Sequence, residues 1–122
     1  RSNGQSIRDF VYIDDIVDVY KLLSENLYKN PKKFSGQVFN AGTNVQHKMK
    51  DIIEKIFTYG KKKNELKDIY KKMKNNKTTG ELSVQYMDYE KINNYLGWYP
   101  KYEFTNTLPN LFKWYKKYFK TR

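Results

Sequence analysis

Apolar residues recur at helical spacing in several separate stretches of this chain, and short β-forming runs lie between them. No other feature constrains the fold as strongly. Met49, Ile52, Ile53, Ile56 and Phe57 fall at i, i+3, i+4, i+7 and i+8, which predicts an amphipathic helix over 49–59 with one buried face. Gly60 follows and suits its C-terminus. Ile16, Val19, Tyr20, Leu23 and Leu27 predict an earlier helix over 15–28. Asp14 and Asp15 open it, where negative charge complements the helix dipole, and Asn30-Pro31 ends it. A last helix is predicted over 107–119, capped by Thr107, with Pro109 in its first turn and Leu108, Leu111, Phe112, Tyr115 and Phe119 as its stripe. Asp88 caps a short helix carrying Ile92, Tyr95 and Leu96, which Gly97 closes. Leu66, Ile69, Tyr70 and Met73 mark a narrower stripe inside 61–77, a stretch with 8 lysines that predicts a basic surface helix.

The β-forming runs are Arg8–Ile13, Gln37–Asn40 and Leu82–Met87. Short strands with about four to five helices place the chain in the α/β class. At 122 residues one domain is expected. No run of about 18 apolar residues exists, so no segment is predicted to span a membrane. Nothing at the start resembles a signal-peptide core. Cysteine is absent, which excludes disulfide and thiolate chemistry and fits a reducing cytoplasm.

The net charge of +11 is lopsided. Residues 1–47 hold 6 basic and 5 acidic side chains, whereas residues 48–122 hold 18 and 8. A field of that sign can attract nucleic acid or anionic lipid. An AT-rich coding bias gives the same excess, since Lys, Asn, Tyr, Ile and Phe are all abundant.

Arg8 is the leading candidate for chemistry. A guanidinium offers planar, bidentate hydrogen bonding to phosphate oxygens. The competing reading is a surface pair with Asp9 or Asp14. Asp9, Asp14 and Asp15 do not converge on an extended segment, where neighbours point to opposite faces, so no metal site is expected. His47 is the single histidine and has no spaced ligand partner; a surface position beside Lys48 is expected. The glycines at 4, 36, 42, 60, 80 and 97 form no G-x-G-x-x-G, so the chain carries no pyrophosphate cradle.

The stretch Gly4-Gln5-Ser6-Ile7-Arg8-Asp9-Phe10-Val11-Tyr12-Ile13-Asp14-Asp15-Ile16-Val17 resembles the G-x-x-x-R-D-[FY]-[IV]-[YH]-[VI]-x-D-[VI]-[VA] segment of extended short-chain dehydrogenase/reductases, the NAD-dependent epimerases and dehydratases of nucleotide sugars. Arg1-Ser2-Asn3-Gly4 is similar to the R-S-[DN]-G that precedes it in CDP-glucose 4,6-dehydratases and close relatives. Val19–Leu27 resembles their A-Y-x-x-L-A-E-x-L helix, and Gly36–Asn40 their G-x-x-[FY]-N. Glu81–Asp88 resembles E-I-x-x-Q-Y-L-D. Lys91 with Leu96-Gly97-Trp98-Tyr99-Pro100 resembles K-A…L-G-W-x-P, and Leu108 with Trp114-Tyr115 the terminal L…W-Y.

The resemblance implies that residues 1–122 are a single substrate-binding C-terminal portion of a Rossmann-type enzyme, whose N-terminal NAD-binding domain is absent from this sequence. It implies Arg8 as a contact of the substrate's diphosphate, with Lys77 an approximate stand-in for the arginine of R-P-G-[DE]. It implies NAD in the whole enzyme but no cofactor-binding, catalytic or metal-ligating residue here. Tyr59-x-x-x-Lys63 and Tyr70-x-x-x-Lys74 mimic the family's Y-x-x-x-K pair but lie after the R-D segment, where the family's pair lies well before it. Expected partners are a nucleotide sugar, the missing Rossmann domain and further copies of the chain in the cytoplasm, with no membrane or nucleic acid. The competing class is a basic module binding nucleic acid or another anion without catalysis. One departure is Lys48, where relatives start a helix with Ser or Thr; a lost cap costs about 1 kcal/mol.

Overall fold

The computed structural model describes residues 3–74 and 80–121. The chain runs β1 (Ile7–Arg8), α1 (Ile13–Lys29), α2 (Pro31–Phe34), β2 (His47–Lys48), α3 (Met49–Tyr59), α4 (Leu66–Lys74), β3 (Val84–Gln85), α5 (Glu90–Leu96) and α6 (Phe104–Lys120), with a 3-10 turn at Lys63–Glu65. It is a mixed α/β chain. Its segments group into two compact units, each assembled from separate stretches. The first comprises Arg1–Arg8, Gln46–Gln85 and Thr105–Arg122; the second comprises Asp9–Val45 and Tyr86–Phe104.

The first unit holds a small sheet in the order β2-β1-β3. β1 pairs antiparallel with β2, Ile7 opposite Lys48 and Arg8 opposite His47. It pairs parallel with β3, Ile7 opposite Val84 and Arg8 opposite Gln85. Both predicted strands here are shorter in the structure than the sequence suggests. Of Arg8–Ile13 only Arg8 lies in the strand, with Ile7 before it; the Asp9 side chain ties to loop N–H groups, and Ile13 already begins α1. Leu82–Met87 shrinks to Val84–Gln85, and Leu82, Val84 and Tyr86 all stay exposed. β2 was not legible in the sequence.

α3 buries Ile52, and Lys48 supplies no side-chain cap. The missing cap is made good by backbone: the Met49 N–H donates to the Ser6 carbonyl at 3.0 Å and the Lys50 N–H to the Gly4 carbonyl at 3.0 Å. Two of the donors that a helix start leaves unpaired are thereby satisfied. At the other end Gly60 takes a right-handed conformation, and Lys61 is the left-handed residue at φ 58. The Lys62 N–H reaches the Phe57 carbonyl and the Lys61 N–H the Thr58 carbonyl, which is a Schellman closure with lysine where glycine is usual. Gly60 serves packing instead. A Cβ there would sit 3.1–3.2 Å from the Phe112 ring. The lysine-rich α4 buries Leu66 and Met73, as its stripe predicts.

The second unit packs α1 and α5 around Val19, Ile92 and Trp98, with Leu22, Leu23, Phe39, Ala41, Tyr89 and Leu96 against them. Gly97 ends α5 at φ 67, and its N–H bonds the Asn93 carbonyl at 2.7 Å. Asp88 accepts the Glu90 N–H at 2.7 Å. Asn30-Pro31 does end α1, but the chain restarts at once as the one-turn α2, because proline at a first helical position loses no bond. With this turn the described residues hold six α-helices, one beyond the five periodic stretches. Gln37–Asn40 is not a strand. Val38 is exposed, and its carbonyl accepts Lys91 Nζ at 2.8 Å rather than a neighbouring strand.

α6 begins three residues before the predicted cap. Phe104 packs its ring on Phe10 at 5.6 Å. Thr107 is therefore buried within the helix rather than capping it, and Pro109 lies inside rather than in the first turn. Proline there has no N–H for the Thr105 carbonyl, so α6 runs on with one intrahelical bond missing.

Candidate functional site

Arg8 sits on the central strand of the sheet, between His47 of β2 and Gln85 of β3. Its Nη1 donates to its neighbour's carbonyl on Ile7 at 2.7 Å. Its Nη2 donates to Glu81 Oε1 at 3.0 Å, and that same oxygen accepts the Ser6 hydroxyl at 3.1 Å. The Arg8 side chain is 21% exposed and that of Glu81 35%. Glu81 is the partner, in place of the Asp9 or Asp14 that the sequence offered. These bonds use two of the five guanidinium donors and fix the plane of the group.

Asp9 points elsewhere. Its Oδ2 accepts the N–H groups of Thr43 at 2.8 Å, Asn44 at 3.2 Å and Met87 at 3.4 Å, and its Oδ1 accepts the Thr43 hydroxyl. Gly42 lets that loop approach: a Cβ there would stand 2.5 Å from Asp9 Oδ2 and 2.6 Å from Met87 Cβ. Adjacent residues on extended backbone face opposite ways, so Arg8 offers charge while Asp9 ties loops. Asp15 is fully buried and is also a tie. Its carboxylate accepts the N–H of Lys101 at 3.0 Å and of Tyr102 at 3.2 Å. The sequence showed Asp15 only as a dipole partner of α1. Nothing local signals its second role, because both donors are backbone groups far along the chain.

Lys77, the other expected phosphate contact, lies outside the described residues. His47 is half-buried on β2, directly opposite Arg8, rather than fully at the surface. The tyrosines of the two Tyr-x-x-x-Lys stretches have other partners. Tyr59 packs its ring on Phe112 at 4.9 Å. The Tyr70 hydroxyl donates to Glu54 Oε2 at 3.2 Å. Burial, then that bond, pushes the Tyr70 phenol above its ordinary value, whereas a catalytic lysine would lower it.

A half-shielded, oriented guanidinium on a sheet, with donors to spare among the described residues, can take a phosphate oxygen. Comparison with known proteins gives that geometry a setting. Two crystal structures of the Bordetella bronchiseptica enzyme WbmG resemble this chain, one in complex with NAD and UDP and one with NAD. Each is 19% identical with a TM-score of 0.64 and covers 93% of this chain. At that identity the likeness establishes a shared fold. The chain spans only about a third of WbmG, 32% of one and 33% of the other. No curated protein sequence matches it. The family model for GDP-mannose 4,6 dehydratase matches residues 2–111, nearly the whole chain and both segments that build the Arg8 environment. The chain belongs to the GDP-mannose 4,6 dehydratase family.

Proposed function

We propose that this chain is the C-terminal, nucleotide-sugar-binding portion of an NAD-dependent dehydratase or epimerase. The observation that carries the reading is the family match over 2–111 together with Arg8 held by Glu81 and the Ile7 carbonyl. A guanidinium fixed before the ligand arrives loses less entropy on binding. In this reading Arg8 takes the substrate diphosphate, and Lys77 adds a second positive charge. Glu81 orients Arg8 and offsets part of its charge, which keeps the site from holding phosphate too tightly.

The sugar nucleotide we favour is CDP-glucose. Support comes from Arg1-Ser2-Asn3-Gly4 and Glu81–Asp88. NAD would bind an upstream Rossmann domain, with hydride passing between the sugar's C4 and the nicotinamide. The chain by itself would be inactive, since it has neither a G-x-G-x-x-G nor a correctly placed tyrosine–lysine pair. We place the enzyme in the cytoplasm, as a homo-oligomer.

The experiment is Arg8→Ala and Arg8→Lys in the complete enzyme, assayed with CDP-, GDP-, UDP- and dTDP-glucose. Losing a charge-assisted contact should cost about 1.5–3 kcal/mol in kcat/KM. Lysine should restore only part, because it lacks the bidentate fork. Unchanged kinetics for both variants would remove Arg8 from the site, and faster turnover of a nucleotide other than CDP-glucose would move the base assignment.

A further inference from the structure

The Arg8 guanidinium is held in two places, and the two holds differ in kind. Nη1 donates to the Ile7 carbonyl, a backbone group of β1 that has no freedom to swing. Nη2 donates to Glu81 Oε1, at the tip of a long, rotatable side chain that is 35% exposed. A pair of long side chains in partial contact with water spends most of its attraction on the entropy of holding both ends. Glu81 therefore orients Arg8 well only if something fixes Glu81 first.

The Ser6 hydroxyl is placed to do so. It donates to the same Oε1 at 3.1 Å, across 75 residues of chain. Ser6 is 6% exposed, and the backbone around it is tied on both sides. Its carbonyl accepts the Met49 N–H at 3.0 Å, and the following Ile7 N–H donates to the Ser83 carbonyl at 2.8 Å. A short side chain on a fixed backbone loses little freedom when its hydroxyl is committed. Ser6 and Arg8 reach one oxygen, as alternate residues of extended backbone can, while Ile7 between them carries the pairing to β3. The motif singles out Arg8 and passes over Ser6.

We propose that Ser6 is a positioning residue for anion binding: its buried hydroxyl fixes Glu81, and Glu81 in turn fixes the Arg8 guanidinium for a diphosphate. Ser6 plays this part only if Arg8 is the diphosphate contact of the proposed function. All three residues belong to the first compact unit, and their bonds are internal to it, so the relay does not turn on which surfaces the rest of the enzyme covers. The simpler role for Ser6 is to satisfy its own polarity, since a buried hydroxyl needs a partner. A partner that did only this need not be the oxygen that Arg8 uses. The two roles also differ in coupling. A hydroxyl that serves stability alone costs the same whether or not Arg8 is present, whereas a positioning hydroxyl acts on the ligand only through Glu81 and Arg8.

The test uses the complete enzyme and isothermal titration with CDP, GDP and UDP, nucleoside diphosphates that carry no sugar to react. Ser6→Ala should weaken the tightest of them about 3- to 10-fold, the worth of one hydrogen bond, and Arg8→Ala should weaken it more. Added to Arg8→Ala or to Glu81→Ala, the Ser6→Ala change should have no further effect. NAD affinity should stay the same throughout, which shows that the fold stands. Full weakening by Ser6→Ala in the Arg8→Ala background overturns the proposal. So does an unchanged affinity in Ser6→Ala where Arg8→Ala does weaken binding, and so does a matching loss of NAD affinity, which would make Ser6 a stability residue. Wild-type affinity in Arg8→Ala, or no binding of any of the three by the wild type, would remove Arg8 as the diphosphate contact and the part of Ser6 with it.

Discussion

Trp98 donates its indole N–H to the backbone carbonyl of Asp15 at 3.2 Å, across 83 residues of chain. The same Asp15 turns its carboxylate to the N–H groups of Lys101 and Tyr102. One side chain in the first turn of α1 therefore anchors the whole exit from α5, and Trp98 fills the core directly beneath it.

Asp15→Ala should destabilise the fold by roughly 2–5 kcal/mol. It removes a buried acceptor and strands two backbone donors, each carrying its own desolvation penalty. Asp15→Asn keeps one good acceptor and should cost about half as much. Urea unfolding of the two variants gives the ordering, and equal midpoints would show that the Lys101–Tyr102 loop does not depend on Asp15.

Gly42→Ala should cost about 1–3 kcal/mol or more, by overpacking. The added methyl meets Asp9 Oδ2, Met87 Cβ and the Met87 carbonyl at 2.5–2.9 Å. None of these is the free end of a flexible chain. The amide protons of Thr43 and Asn44 should lose hydrogen-exchange protection in the variant while those of α4 keep theirs.

Lys61→Gly should stabilise by about 0.5–1 kcal/mol, because Lys61 holds a left-handed φ that glycine adopts without strain. Gly60→Ala, one residue earlier, should act in the opposite direction through the Phe112 ring. Thermal unfolding of the pair separates conformational from steric roles for two adjacent residues.

Lys101 and Asp18 are joined at 2.5 Å, and the bond raises the lysine above its ordinary 10.5. A base with a raised folded value stabilises the fold below its unfolded value, and that contribution fades as pH climbs through the folded one. Both groups are exposed, so the effect is small. Any stability gap between wild type and Asp18→Asn should be visible near neutrality and should close as pH passes about 10.5. A gap that widens there would assign Asp18 some other role.

α1 leaves Ile13, Val17 and Tyr20 exposed along one face. A contiguous apolar strip of that kind usually finds cover. Light scattering should show self-association that Val17→Glu reduces. A clean monomer at high concentration would show that this face needs no partner.

The helices were legible because their apolar spacing is local. Ile52, Leu66, Met73 and Ile92 were each placed on a buried stripe by counting along the chain. The strands were not, because a two-residue strand is specified by its partners. Val84 and Gln85 become a strand only by lying beside Ile7 and Arg8, and Gln37–Asn40, which has the better composition, finds no ladder in this chain. Arg8 stands out in the sequence through its motif. Its tether Glu81 does not, because it lies 73 residues away. Asp15 does sit in the first turn of α1, as its position suggests, but nothing local shows the distant backbone N–H groups that Asp9 and Asp15 accept.

Both units are discontinuous in sequence, and this restricts how the chain can be made. The second unit closes only when Asp15 meets Lys101, and the first only when Phe112 reaches Gly60. A growing polypeptide emerges N-terminus first, so the second unit cannot finish before Lys101 is made, nor the first before Phe112. A stop before Lys101 leaves both cores half-built, and one before Val84 also leaves an edge of β1 open. No single cut can release either unit intact, because each is assembled from separate stretches.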